Sequence, residues 1–175
     1  MKVHITGASG SGTTTLGQAL AQALSSRHLD ADAYFWLPTM PPYQEKRPQA
    51  ERLVLLHADL QSAPDIVASG SVVGWGAEIE EAFDLIVFLY LPAITRIERL
   101  RQREITRYGF VNPEFLAWAA QYDEGPAEGR SLAKHEAWLA QRACPVLRLE
   151  QDISVQERLG QVLNAINHLP SRQSA

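Results

Sequence analysis

One cysteine, no basic surplus and no long apolar run set the first bounds on this chain of 175 residues. Cys144 alone closes no internal disulfide and builds no multi-cysteine zinc site. Lys and Arg number 16 against 20 Asp and Glu, giving a formal charge of −4 and a sequence pI near 5.7. Duplex nucleic-acid binders ordinarily carry a basic excess, so nucleic acid is not an expected partner. The longest apolar run, at 85–91, is too short to span a bilayer. The first residues, Met1 to Gly7, break into glycine before a signal-peptide core forms. The expectation is a cytoplasmic protein with no membrane contact, a monomer or small homo-oligomer. Hydrophobic residues at 46% and charged residues at 21% suffice for one globular core.

Periodicity then divides the chain. Val3-His4-Ile5 reads as a short buried strand running into the glycine-rich turn Gly7 to Gly12, and Leu16, Leu20, Ala23 and Leu24 mark a helix over 13–24. His28 to Asp32 reads as a second strand. Four prolines, Pro38, Pro41, Pro42 and Pro48, forbid regular structure over 37–47. A helix over 49–60 and a strand over 65–69 follow. Phe83 to Leu91 is apolar on both faces, as a central parallel strand is. Pro92 opens an arginine-rich helix that Gly109 ends; 110–129, with its aromatics, acids and breakers, reads as a flap whose structure stays open; a helix near 130–142, a strand at 146–149 and a helix over 155–166 complete the chain. Strands alternating with helices predict a doubly wound parallel α/β sheet, whose ligands collect at the carboxyl ends of the strands.

Gly7-Ala8-Ser9-Gly10-Ser11-Gly12-Thr13-Thr14 has the Walker A spacing, with Thr13 in the place of lysine. Such a loop curls its N–H groups inward, and the helix beginning near Thr13 adds its positive end. Gly7, Ser9, Gly10, Ser11, Gly12, Thr13, Thr14 and Thr15 are the candidate nucleotide-binding residues, and the Thr14 hydroxyl is placed for Mg²⁺. Three other readings compete: a turn that is glycine-rich for structural reasons, a dinucleotide-binding turn, and a loop that binds nucleotide without turnover. The dinucleotide reading fails at its third glycine, and the absence of an Asn-Lys-x-Asp element counts against a GTPase.

Asp30 and Asp32, two apart, share a face if the second strand runs through both, near its carboxyl end. One carboxylate there orders the water shell of Mg²⁺ and the other orients an acceptor hydroxyl. The bland alternative is that Asp32 only begins a turn and Asp30 only caps. Tyr34, Phe35 and Trp36 follow, and Trp36 is a candidate wall of an acceptor pocket. On the arginine helix, Arg96, Arg103 and Arg107 fall within about 20° of one line and Arg99 about 60° from it, with Ile94, Ile97 and Ile105 elsewhere. A basic face of this kind is either a solvated surface or guanidinium groups poised over phosphate. With no loop lysine, Arg99 and Arg103 are the expected sources of charge, and Arg130 beyond the flap is a further candidate.

Three segments, Gly7–Thr15, His28–Asp32 and Leu91-Pro92 through Arg99 to Arg103, resemble the adenylate kinase/shikimate kinase group of P-loop small-molecule kinases. The resemblance implies a three-layer α/β fold of P-loop NTPase type, with five parallel strands, a substrate region at about 32–62 and a helical lid at about 99–134. It implies ATP and Mg²⁺ as cofactors, Thr14 with Asp30 on the metal side, Asp32 on the acceptor, and Arg99 and Arg103 on the transferred phosphoryl group. A nucleoside monophosphate is the favoured acceptor and a small hydroxylated metabolite the next. Gly-Ser-Gly-Thr-Thr-Thr looks like the lysine-free loop of archaeal-type cytidylate kinases. Ala68-Ser69-Gly70 lacks the acidic residue that many nucleotide kinases place there, so the Mg²⁺ role falls on Asp30. A nucleotide-binding regulatory or DNA-associated protein without turnover is the main alternative, and a nicotinamide-dependent oxidoreductase a third.

Overall fold

Strand β1 (Lys2–Gly7) buries Val3 and Ile5 on one face and His4 and Thr6 on the other, and β4 (Leu85–Leu89) is buried at every position. Only central strands covered on both sides are buried in this way. The computed structural model describes residues 1–125 and 129–169. With β2 (Arg27–Asp30), β3 (Ile66–Ser69) and β5 (Val146–Leu149), these strands form one sheet in the order β2-β3-β1-β4-β5. Every pairing in it is parallel. Helices cover both faces, so the chain has the three-layer, doubly wound α/β fold of P-loop type.

The two faces have separate cores. On one, α1 (Thr13–Ala23) and α8 (Val155–Asn167) bring Leu16, Leu20 and Val162 onto Val3, Ile5, Val87 and Leu89. On the other, α3 (Gln49–Gln61), α4 (Ala77–Glu80) and α7 (Leu132–Leu139) set Leu56, Leu60, Ile79, Trp138 and Leu139 against Ile66, Ile86 and Phe88. Each such leucine or isoleucine contributes about 1.5–3 kcal/mol on leaving water. A third cluster, Leu100, Leu116 and Ala119, joins α5 (Ala93–Tyr108) to α6 (Pro113–Ala120) beyond the sheet.

Two expectations are corrected and one open stretch is filled in. The strand through Asp32 stops at Asp30, because the Asp30 carboxylate accepts the Asp32 N–H at 3.0 Å and caps a short helix, α2 (Ala31–Phe35). The flap over 110–129 contains α6, started by the Asn112 side chain, which accepts from the Phe115 N–H, and by Pro113 in the first turn; residues 126–128 of the flap lie outside the described residues. On α5 the inward stripe is Arg96, Leu100 and Glu104, whereas Ile94 is 83% exposed and Ile105 half-exposed. The proposed basic line therefore splits, with Arg96 inside and Arg103 and Arg107 outside.

Candidate functional site

The turn between β1 and α1 lies at the carboxyl edge of the sheet. Gly10 and Gly12 hold φ near +86° and +97°, a region that L side chains rarely adopt. A Cβ on Gly10 would also stand 2.6 Å from the Arg96 carbonyl oxygen of α5. The turn thus curls tightly and is packed from outside by the first turns of α5. No side chain caps α1, so its first amides stay free to donate. Ser11 is wholly buried, while Ser9, Thr13 and Thr14 are partly open.

The Thr14 hydroxyl donates to the Asp30 carboxylate at 3.1 Å, so the head of α1 and the end of β2 meet. The same carboxylate caps α2, which orients Asp32 from the first turn of that helix rather than from the strand. Partial desolvation by the surrounding protein lifts the Asp32 carboxyl above its ordinary pKa; Asp30 adds to this, and the positive charges of Arg130 and Arg103 oppose it. Asp30, Arg130 and Arg103 thus lie within electrostatic range of the Asp32 carboxyl.

Arg130 precedes α7 and reaches the loop itself, its Nη1 donating to the Ser9 hydroxyl at 3.4 Å. With Ser9, Trp118, Ala119 and Tyr122 it lines a small pocket beside the loop. Tyr122 in turn bonds His135 Nδ1 at 2.6 Å, and His135 Nε2 faces the Ser71 hydroxyl at 3.4 Å. Burial, with the nearby Arg130 charge, depresses the His135 pKa to about 3. His4, fully buried and bonded to the Gly70 carbonyl at 2.8 Å, is lowered to about 4 for the same main reason. Both rings are neutral in ordinary buffers.

Arg103 lies over the Phe115 ring at 5.7 Å and beside Glu104 at 3.4 Å. Arg99 pairs instead with Asp152 after β5. Arg96 does not face phosphate: wholly buried, it donates to the carbonyls of Leu91 and Ala119 at 2.8 and 3.1 Å and pairs with Asp123. Trp36 packs edge-on against Phe35 and Tyr43, with ring centroids 4.9 and 6.0 Å apart. Among the described residues, no group of three His, Cys, Asp or Glu is arranged to hold a metal by itself.

Two arginines escape sequence reasoning. Arg52 rests its guanidinium 4.7 Å from both the Phe35 and Trp75 rings, with no ion pair among the described residues. Arg158 of α8 is 3% exposed and donates to the backbone carbonyl of Ser11 inside the loop at 2.8 Å. Its signal was a cation one turn before Val162 on the inward stripe of α8.

Residues 3–110 match a family model described as an AAA domain. The uncharacterized protein YqaC of Bacillus subtilis (strain 168) is 45% identical over 175 residues, covering 94% of this chain and 97% of that protein. Among solved structures, shikimate kinase from Acinetobacter baumannii in complex with shikimate superposes with a TM-score of 0.61 at 19% identity, covering 97% of this chain and 95% of that one. A gluconokinase from Sinorhizobium meliloti 1021 gives 0.62 at 19%, covering 96% and 92%. Deoxyadenosine kinase from M. mycoides gives 0.60 at 14%, covering 97% and 100%. At these identities the likeness is one of fold.

Proposed function

The chain belongs to the AAA domain family, and from that premise we propose that it transfers a phosphoryl group from ATP to a small-molecule acceptor. The observation that carries this reading is the hydrogen bond from Thr14 to Asp30 at the head of the phosphate loop, with Asp32 two residues further on in the first turn of α2 and Arg130 on the Ser9 hydroxyl of the loop. A loop that only binds nucleotide needs no second carboxylate on the acceptor side.

Backbone amides of residues 9–14 bind the nucleotide phosphates, with Gly7 and Thr15 closing the two ends of the turn. Thr14 and Asp30 offer hard oxygens 3.1 Å apart and are the residues that would hold Mg²⁺ here. When bound, Mg²⁺ neutralises charge on the phosphate oxygens. Asp32 accepts a hydrogen bond from the acceptor hydroxyl and orients its oxygen toward the γ-phosphorus. As that O–P bond forms, the bond to the ADP oxygen breaks, and the hydroxyl proton leaves through Asp32 or water. Arg103 and Arg130 stabilise the charge on the transferred group, and Arg99 joins them by exchanging its Asp152 partner for phosphate.

The region at about 32–62 serves the acceptor and that at about 99–134 serves as lid, within a single kinase-like domain. A nucleoside monophosphate is the favoured acceptor, a small hydroxylated metabolite the next. Arg52 supports an acceptor with an anionic group, since its guanidinium lies against Phe35, three residues after Asp32, with its edge unpaired among the described residues. Trp36 walls the same side.

ADP release from ATP and Mg²⁺ is the test, across a panel of nucleoside monophosphates, hydroxy acids and polyols. Acceptor-stimulated release supports the reading and names the substrate. ATP binding with no release on any acceptor overturns it in favour of a regulatory nucleotide-binding protein.

A further inference from the structure

Arg158 raises a question that the catalytic scheme leaves unanswered. It is a cation 3% exposed, on the last helix, and its donors end on backbone: Nη1 on the Ser11 carbonyl and Nη2 on the Gln151 carbonyl, both at 2.8 Å. Its Nε is buried with no hydrogen-bond partner, and no carboxylate forms an ion pair with it among the described residues. The nearby Asp152 is already paired with Arg99. A buried guanidinium without a counter-ion is costly, and such charges are ordinarily paired. Its place says what completes it: a Cβ added at Gly12 would stand 3.5 Å from Nη1, so the charge lies directly behind the phosphate turn.

We propose that Arg158 is the positioning residue that replaces the missing loop lysine, holding the Ser11–Gly12 peptide and charging the turn from behind so that it binds nucleotide polyphosphate. This rests on the nucleotide-binding part of the reading above. Two effects combine. The Ser11 carbonyl and the Gly12 N–H belong to one peptide unit, so a guanidinium bonded to that oxygen makes the Gly12 N–H a stronger donor. The full positive charge also reaches the phosphates through protein rather than water, where it is weakly screened. Thr13 points the same way. A lysine there would bring a second cation toward a loop that Arg158 already charges, and the mobile ammonium of other P-loops gives way to a fixed guanidinium.

The test is a mutant cycle read by equilibrium binding without acceptor, so turnover does not enter. Probes are ATP and adenosine, with circular dichroism and thermal melting of each variant. Arg158→Met is expected to weaken ATP about tenfold or more while leaving adenosine within about threefold. Thr13→Lys is expected to raise ATP affinity about tenfold more in the Arg158→Met background, where it recovers most of the loss, than in the unaltered background. Arg158→Lys, which keeps the charge but cannot span both carbonyls, is expected to fall between. If Arg158→Met does not fold, the cycle runs on Arg158→Lys, where the same sign of coupling is expected. Equal gain from Thr13→Lys in both backgrounds overturns the inference, as does equal loss of adenosine and ATP. Failure of the unaltered protein to bind ATP at all overturns the underlying reading as well; ATP binding without coupling overturns this inference alone.

Discussion

The guanidinium groups around the phosphate loop fall into two sets. Arg96 and Arg158 are buried and end mainly on backbone carbonyls, those of Leu91, Ala119, Ser11 and Gln151. Arg99, Arg103 and Arg130 end on side chains, Asp152, Glu104 and Ser9. A carbonyl partner cannot leave without moving the chain, whereas a side-chain partner can be exchanged for a phosphate oxygen. The first set is preorganised and the second exchangeable. Electrostatic help in a phosphoryl transfer needs both, a fixed field and donors that arrive with substrate.

The sharpest way to break this division is at Arg96. Replacing it by methionine takes the guanidinium donors from the carbonyls of Leu91 and Ala119 and from Asp123 Oδ1, leaving Asp123 only the Ala93 N–H among the described residues, and unties α5 from the end of α6. The expected loss is about 3 kcal/mol of folding stability by urea unfolding. A loss well under that would move Arg96 out of the fixed set.

Arg130→Ala sharpens the other half. Turnover is expected to fall about a hundredfold while ATP affinity stays within about threefold, as for a donor that acts on the transition state. Equal losses in both would assign Arg130 to ground-state binding beside Arg158.

The division also shows what was legible in the sequence and what was not. Strands, sheet class and the glycine turn rest on local patterns, and these were readable: an apolar run on both faces over 83–91, glycine spacing over 7–12. The site's carboxylates were readable as a pair, but their geometry was not. Asp30 finds a better partner in the Asp32 amide than strand continuation would offer, so a two-residue periodicity gave way to a cap. Helix α6 was obscured because glycine and proline crowd its surroundings. The inward turn of Arg96 is invisible to a hydrophobicity pattern, since it depends on the Ala119 carbonyl of another helix and on the Leu91 carbonyl after β4. Arg158 is the extreme case: it meets Ser11 across 147 residues of sequence, and no local spacing couples such positions.

Titration gives a smaller effect, in the buried core beside the site rather than at its arginines. His4 is wholly buried with its pKa lowered from 6.5 to about 4, chiefly by burial. The folded state thus prefers the neutral ring, and its stability is full above pH 6.5 and falls as pH drops toward 4. Between pH 7 and 5 the expected loss from His4 is about 2 kcal/mol. Urea unfolding at the two pH values measures it, and His4→Gln is expected to show a correspondingly flatter dependence. An unchanged slope in that variant would mean that the acid sensitivity lies elsewhere.

The smallest effect on stability is expected at Arg99. Its side chain is 40% exposed and that of Asp152 51%, so the pair is screened by water and contributes less than about 1 kcal/mol to folding. Arg99→Ala should therefore leave the unfolding midpoint nearly unchanged, in contrast to Arg96 on the same helix only three residues away. Turnover separates two roles. If Arg99 exchanges Asp152 for phosphate, the alanine variant is slowed several-fold, while Asp152→Ala, which frees the guanidinium, is not slowed. If the pair matters only as a pair, the two variants are slowed alike, and Arg99 leaves the exchangeable set with Arg103 and Arg130 remaining.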